Sequence, residues 1–550
     1  MKVLLTNSDS TEDAGRRINE LIEAHSEWLC VSGARATLLR NSECDFRVER
    51  GRLIFSCLGE EGWLIWRITG WDWTGEKLLL EASRRMGAER GQLELVPRAS
   101  IKAMTALVSA TRRERCRQLA ELASDSLKGA RIERASFSAG SRPGQAGALA
   151  RIILRRKNER IAVAGFVVES TGRNIDAFLS STLLWFARIS ERTRPPFISQ
   201  LWLIVESDLI ESLAQRLALL RDEMRSTIAL YRIGKGEISS SKKTIGAGLV
   251  PDRALPNTSG QGQALLLQSS FTREVSFSIL SRKELPELTE LLTKKRERLK
   301  HPVGKSLLSE SAERIVALAP EAIDVVRSRH GETLRFHGLA FARVRHLLNR
   351  ERVWFGIESA RRRVLDETTE NEWTKLLNDL RAHRNECAVD QNNALYRAAP
   401  EAWLESKLRR DIIRLDPGLR LAPLYAQFRP ARANGARPID LLALRQDGRL
   451  AVIELKVSED REHVLQGAAY WLEVEAHRRA GNIARARLFG EATIADEPAL
   501  VYLVAPLLRF HRAFEILARQ VSKEIDIYRF DINEDWRAGV KVLRRCDFNQ

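Results

Sequence analysis

The stretch Pro438-Ile439-Asp440-Leu441-Leu442-Ala443-Leu444-Arg445-Gln446-Asp447-Gly448-Arg449-Leu450-Ala451-Val452-Ile453-Glu454-Leu455-Lys456-Val457 governs how the rest of the chain is read. Two apolar runs flank a short polar turn containing glycine, which predicts a β-hairpin. Alternate residues of a strand share a face, so Glu454 and Lys456 point the same way. Asp440 enters from the first strand. Two carboxylates and one ammonium then converge on one spot. Such a set can hold a hard divalent cation and orient a water for phosphodiester hydrolysis. The run Leu450 to Val457 otherwise reads as a strand buried on both faces, where a charge is costly unless paired or metal-bound.

The surroundings extend this pattern. A helix is expected from about Pro400 to Ile413, with Pro400 suited to its first turn. It carries Glu401 and Glu405 on one face. A short strand follows near Leu424–Phe428. Beyond the hairpin a helix from about Val464 to Arg479 carries Gln466 and Tyr470, one turn apart. A buried strand at Ala499–Val504, a helix near Arg512–Val521 and a strand at Ile525–Ile532 complete the segment.

Taken together, Asp440…Glu454-Leu455-Lys456, the leading Glu helix and the trailing Gln helix resemble the core of the PD-(D/E)xK nuclease superfamily. The resemblance covers about the last 150 residues and is closest to its RecB-type and NucS-like branch. The sequence departs from the superfamily name at Ile439, which directly precedes the aspartate, while Pro438 stands one earlier. The resemblance implies a restriction-endonuclease-like fold, a mixed central sheet flanked by helices, in an α/β multidomain chain. It implies an Mg²⁺-dependent deoxyribonuclease, with Mn²⁺ as a substitute ion. Asp440 and Glu454 would ligate the metal, with the backbone carbonyl of Leu455. Lys456 would orient the attacking water and stabilise charge on phosphorus. Glu405 would add a metal or water contact, with Glu401 as the rival assignment, and Gln466 would bond near the phosphate or Lys456. Tyr470 reads as packing. His463 and His511 read as surface or core-edge residues.

Bulk properties agree with a soluble enzyme acting on a polyanion. The chain has 550 residues, 44% hydrophobic and 29% charged, and a net charge of +17. No apolar run approaches the ~20 residues that span a bilayer. The N-terminus turns polar too early for a secretory signal. Six scattered cysteines form no C-x-x-C pair, and a reducing cytoplasm fits. The histidines show no metal-ligand spacing. No P-loop or G-x-G-x-x-G motif occurs, so no nucleotide cofactor is indicated. Between 101 and 250, 25 Lys and Arg stand against 14 Asp and Glu; between 401 and 550, 25 stand against 22. The excess points to nucleic acid, DNA first, and sits away from the Asp440 region.

Five segments are expected: a small β or α/β module (1–110), a basic domain (111–235), a linker (236–270), a mixed α/β connector (271–397) and the nuclease-like domain (398–550). The tryptophans 63, 66, 71 and 73 read as a β core rather than as base-stacking platforms. The basic run Lys294 to Lys300 reads as a solvated helix face. The element strings of 112–235 and 398–532 match, which suggests a degenerate copy. Aligning Arg160-Ile161-Ala162-Val163 with Arg449-Leu450-Ala451-Val452 sets Arg151 at the Asp440 position, Gly165 at Glu454 and Val167 at Lys456. The first copy would then be a basic, inactive half that grips nucleic acid. The competing reading is a non-catalytic DNA-binding or assembly protein on the same fold.

Overall fold

The computed structural model describes the chain except residues 1–2, 5–7, 33–34, 41–42, 60–61, 76, 85–88, 98–100, 139–148, 168–173, 192–194, 236–276, 295, 297–298, 300–307, 329–330, 348–349, 358–361, 423, 429–438 and 549–550. The linker expected at 236–270, much of the 294–300 run and Pro438 lie outside the described residues. The protein is mixed α/β and multidomain. Its contacts divide it into two compact units: Met1–Phe178 with Trp185–Leu213 and Ser226–Glu284, and Leu285–Gln550 with Leu179–Leu184 and Ala214–Arg225.

The first unit opens with an antiparallel sheet between Val3 and Pro97, against which helix Ser8–Glu23 packs Ala14, Ile18 and Ile22. Trp28, Trp66 and Trp71 lie inside that core, and Trp73 packs against it. These rings are therefore occupied by protein; the side chain of Trp63 is outside the described residues. Helix Ile101–Asp125 then leads into a six-stranded sheet. Its strands, in spatial as in chain order, are Arg131–Ser138, Leu149–Arg156, Glu159–Phe166, Ile198–Glu206, Ile228–Lys235 and Phe277–Lys283.

The second unit holds a five-stranded antiparallel sheet between Ile323 and Val364. The stretch Arg335–Val344 is divided between two strands, Gly331–Phe336 and Leu339–Leu347. The cause is the turn His337-Gly338, both at positive φ, pressed against the next helix. A Cβ at Gly338 would lie 1.9 Å from the Ala402 carbonyl oxygen. Helix Pro400–Arg410 leads into a second six-stranded sheet: Tyr425–Phe428, Ile439–Leu444, Leu450–Leu455, Leu500–Pro506, Asp526–Ile532 and Val542–Asp547. The leading helix ends earlier than its periodicity suggests, because Asp411 turns extended and a 3₁₀ turn follows. The helix expected over 512–521 is only Phe514–Ala518.

The two six-stranded sheets have the same topology. In each, strands one to three are antiparallel, three to five are parallel, and the sixth is antiparallel. In each a helix precedes the first strand, a long one (Ile175–Ser190 or His463–Arg479) joins strands three and four, and a short one joins four and five. The pairing registers align them residue by residue. Ile152–Val163–Trp202–Ala229 forms one row across four strands, and Leu441–Ile453–Tyr502–Tyr528 forms its counterpart. The aromatic pairs agree: Trp202–Tyr231 at 4.7 Å and 45°, Tyr502–Phe530 at 4.6 Å and 42°. The next row therefore sets Arg151–Ala164–Leu203–Leu230 against Asp440–Glu454–Leu503–Arg529. This corrects the sequence alignment by one residue: Ala164, not Gly165, stands at the Glu454 position, and Phe166, not Val167, at Lys456. Gly165 faces helix Ile101–Asp125, where Leu119 would meet its Cβ at 3.1 Å, so it is on the wrong face to match Glu454.

All six residues of Leu450–Leu455 are buried, as a strand covered on both faces requires. Helix His463–Arg479 covers one face, and its approach depends on Gly467. A Cβ there would stand 2.6 Å from Leu503 Cδ2 and 3.0 Å from Val501 Cγ1. Gly467→Val is expected to destabilise the second unit by about 1–3 kcal/mol through overpacking, read as a lower denaturant midpoint. An unchanged midpoint would contradict this packing.

Candidate active site

Four side chains meet where the second and third strands of the C-terminal sheet end. Asp440 comes from the second strand; its Oδ2 accepts the Leu455 N–H at 2.9 Å. In a strand, one residue's N–H and C=O point to the same edge, so the Leu455 carbonyl is aimed to the Asp440 side. Glu454, 2% exposed, accepts from Lys456 Nζ through Oε1 at 2.7 Å. Its Oε2 is buried and has no hydrogen-bond partner among the described residues. Lys456 also lies 3.8 Å from Asp460.

The electrostatics tie these groups together. Burial pushes the Glu454 carboxyl up to about 8; Lys456 opposes the rise, while Asp440 and Glu401 add to it. Burial pulls the Lys456 ammonium down, but Glu454, Glu401, Asp460 and Asp440 outweigh it and hold it well above its ordinary value. The surrounding carboxylates thus favour the charged form of Lys456. Glu401 belongs to the same cluster. Burial raises its carboxyl, Lys456 opposes, Asp440 and Asp460 add, and the Val457 N–H donates to it.

Glu405, one turn along, is placed differently. It is buried and receives Arg335 Nη1 at 3.4 Å. The structure thus groups Asp440, Glu454, Lys456 and Glu401, and sets Glu405 against the neighbouring five-stranded sheet. Gln466 is buried on the trailing helix; its Nε2 donates to Glu462 Oε2 at 3.1 Å, and its Oε1 has no partner among the described residues. Tyr470 is half-buried in the packing of that helix.

Two neighbours were given no role at the site by sequence. His463, read there as a surface or core-edge residue, is 2% exposed. Its Nε2 donates to the Glu454 carbonyl at 3.1 Å, and its ring stacks on Phe510 at 5.7 Å. Burial, with Lys456 adding, holds the imidazole down to about 3, so it is neutral. It fixes the end of the third strand and has no lone pair left on Nε2 for a ligand. Its spacing from Gln466, one helical turn, was the available signal. Arg529 shares the Glu454 row; it bonds Asp531 at 2.5 Å and lies 4.0 Å over Phe510. His511 is half-buried and accepts the Ala513 N–H through Nδ1.

Among the described residues no group of three or more His, Cys, Asp or Glu side chains is placed to hold a metal ion by itself. The donor set still fits a hard cation that keeps most of its waters. Glu454 Oε2 is an orphaned buried oxygen, which is costly unless it gains a cation or proton. Asp440, Glu454 and Glu401 also carry up to three negative charges against the one positive charge of Lys456. An anionic phosphodiester is repelled by that surplus unless a cation offsets it.

No protein-family model matches the chain. No curated protein matches it either. Among solved structures it is similar to EndoMS in its apo form, at 11% sequence identity and a TM-score of 0.13, over 42% of this chain and 95% of that one. A likeness at that score carries no inference about the fold. Among the described residues no helix is long and apolar enough to cross a membrane.

Proposed function

We propose that the protein is a metal-dependent nuclease that hydrolyses phosphodiester bonds of DNA, on a PD-(D/E)xK core formed by the C-terminal sheet. The observation that carries this reading is the buried set Asp440, Glu454 and Lys456 at the end of one strand pair, with Glu454 Oε2 left open. Asp440, Glu454 and the Leu455 carbonyl would hold Mg²⁺, or Mn²⁺ in its place. Bound there, the ion supplies Lewis-acid polarisation of the phosphate and a lower pKa for a bound water.

The chain's own residues do the rest. Lys456, held in its charged form by the carboxylates around it, positions the nucleophilic water and offsets negative charge as it grows on the phosphoryl oxygens. Glu454 orients that ammonium through Oε1. Glu401 is the helix carboxylate that acts with this group, and Gln466 contributes its amide oxygen from the trailing helix. His463 keeps the strand end in register from behind. The N-proximal sheet is read as a degenerate copy. Arg151, Ala164 and Phe166 take the places of Asp440, Glu454 and Lys456, and Phe166 is stacked on Phe178 at 4.3 Å, so that position is filled by an aromatic pair. Its role is then to grip nucleic acid.

The test is incubation of the full chain with linear, nicked, flapped and single-stranded DNA in Mg²⁺, Mn²⁺ or EDTA. Cutting in either metal and none in EDTA is expected. Cutting that persists in EDTA sinks the mechanism, and tight DNA binding with no cutting in any condition favours an inactive binding protein. Within the reading, Glu401→Gln is expected to slow single-turnover cutting ten- to hundredfold. Glu405→Gln should act on stability through Arg335 and leave the cutting rate within a few-fold. The reverse ranking would reassign the helix carboxylate.

A further inference from the structure

One face of the N-proximal sheet buries Ala162 and Ala164 and stacks Phe166 on Phe178, but towards its first two strands and hairpin tip it exposes arginines. Directly opposed residues share a face, and Arg131–Arg155–Arg160 forms one row across its first three strands. On the same face Arg134 stands opposite Ile153, and Arg151 opposite Ser136 and Ala164. Arg131, Arg134 and Arg155 are exposed; Arg151 and Arg160 are half-buried. Glu133 neutralises Arg160 through paired bonds of 2.8 and 2.6 Å. Arg131, Arg134 and Arg155 have no carboxylate within salt-bridge distance among the described residues. Exposed Arg156 and Lys157 extend the charge onto the hairpin tip.

The matching face of the C-terminal sheet is built for burial. Arg155 corresponds to Leu444 and Arg160 to Leu450, both fully buried. The connections between the third and fourth strands also differ in length. Twenty residues join Arg479 to Leu500, and this segment lays Phe489 against Tyr425, 5.5 Å away, on the first strand. Seven residues join Ser190 to Ile198 in the N-proximal sheet. Where it is exposed, the face could have carried neutral polar residues. Like charges set directly opposite one another are instead destabilising, and an external polyanion would offset that cost.

We propose that this face, Arg131, Arg134, Arg151, Arg155 and Arg160, docks the phosphate backbone of DNA. Along a strand the arginines stand roughly 7 Å apart (Arg131 and Arg134) or roughly 13 Å apart (Arg151 and Arg155), and across strands roughly 5 Å apart, an array that meets phosphates without reading bases. The inference rests on the nuclease reading and names the surface that grips its substrate.

The test uses the full chain with Arg131, Arg134 and Arg155 all changed to alanine, and a fluorescent 30-base-pair duplex in EDTA. Anisotropy titrations from 50 to 200 mM salt are expected to show ten- to hundredfold weaker binding. The slope of log affinity against log salt should fall by about 2.7, or ~0.9 per lost phosphate contact. The melting temperature should hold or rise, because the opposed charges are gone. The triple arginine-to-lysine variant should keep most of the affinity. In Mg²⁺ and saturating DNA the alanine variant should cut at the wild-type rate. Wild-type affinity and salt slope in the alanine variant, with normal cutting, overturn this surface while leaving the nuclease reading intact. A wild type that neither binds nor cuts DNA overturns both.

Discussion

Lys456→Ala should reduce single-turnover DNA cutting by two to three orders of magnitude at saturating substrate. The ammonium is buried among Glu454, Glu401, Asp460 and Asp440, which keep it charged. A fixed cation in a water-poor site is worth far more to a developing phosphorane than the same charge in solvent. Removing it also leaves Glu454 buried beside two other carboxylates. Glu454 then holds its proton more firmly, and the cup binds a divalent cation more weakly. Removing a buried charged partner is costly in itself, so a melting curve must accompany the rate. Lys456→Arg separates the effects: it keeps the charge, and the fold with it, yet a planar fork does not reproduce a compact ammonium. Its rate should lie between those of wild type and alanine. A lysine-to-alanine enzyme that is folded and cuts within a few-fold of wild type contradicts the assigned role.

Glu454→Gln should make the protein more stable than wild type at pH 8 and above while abolishing cutting. The unfolded carboxyl loses its proton near ~4.3, whereas the folded one holds it to about 8. Between those values the folded state binds the extra proton, so wild-type stability falls as pH rises through the window. Glutamine does not titrate, and its stability should be flat there. The difference by pH 8 should reach a few kcal/mol, because each tenfold gap in proton affinity between the folded and unfolded carboxyl is worth about 1.4 kcal/mol. Added Mg²⁺ should restore wild-type stability at pH 8 and leave the glutamine variant unchanged. Parallel pH–stability curves for the two proteins would mean that Glu454 carries no strained charge. Burial near an opposing lysine would then be an ordinary ion pair.

The hairpin was legible because its strands are continuous apolar runs interrupted only by Asp440 and Glu454, and Gly448 at φ 87° marks the turn. The helix carboxylate was harder to read. Glu401 and Glu405 lie one turn apart, and only the packing of the leading helix against Gly338 and Arg335 decides which one faces Lys456. The one-residue slip between the two sheets has a similarly local origin. The N-proximal hairpin turns through Lys157-Asn158, whereas Arg445–Arg449 forms a five-residue loop. Arg160 is in its strand and Arg449 is not, so matching the two arginines shifts every later residue to the opposite face. The buried state of His463 depends on Phe510 and Phe514, which arrive from far along the chain. The sixth strand, Val542–Asp547, shows no apolar alternation because it is a largely exposed edge.

The most direct measurement is the single-turnover cutting rate of end-labelled DNA by the full chain, with Mg²⁺ titrated from zero in the presence of chelator. A rate that rises from nothing and saturates with Mg²⁺, and that is lost in Asp440→Asn and Glu454→Gln alike, is the predicted result. Cutting that is independent of Mg²⁺, or that survives loss of both carboxylates, would contradict the account.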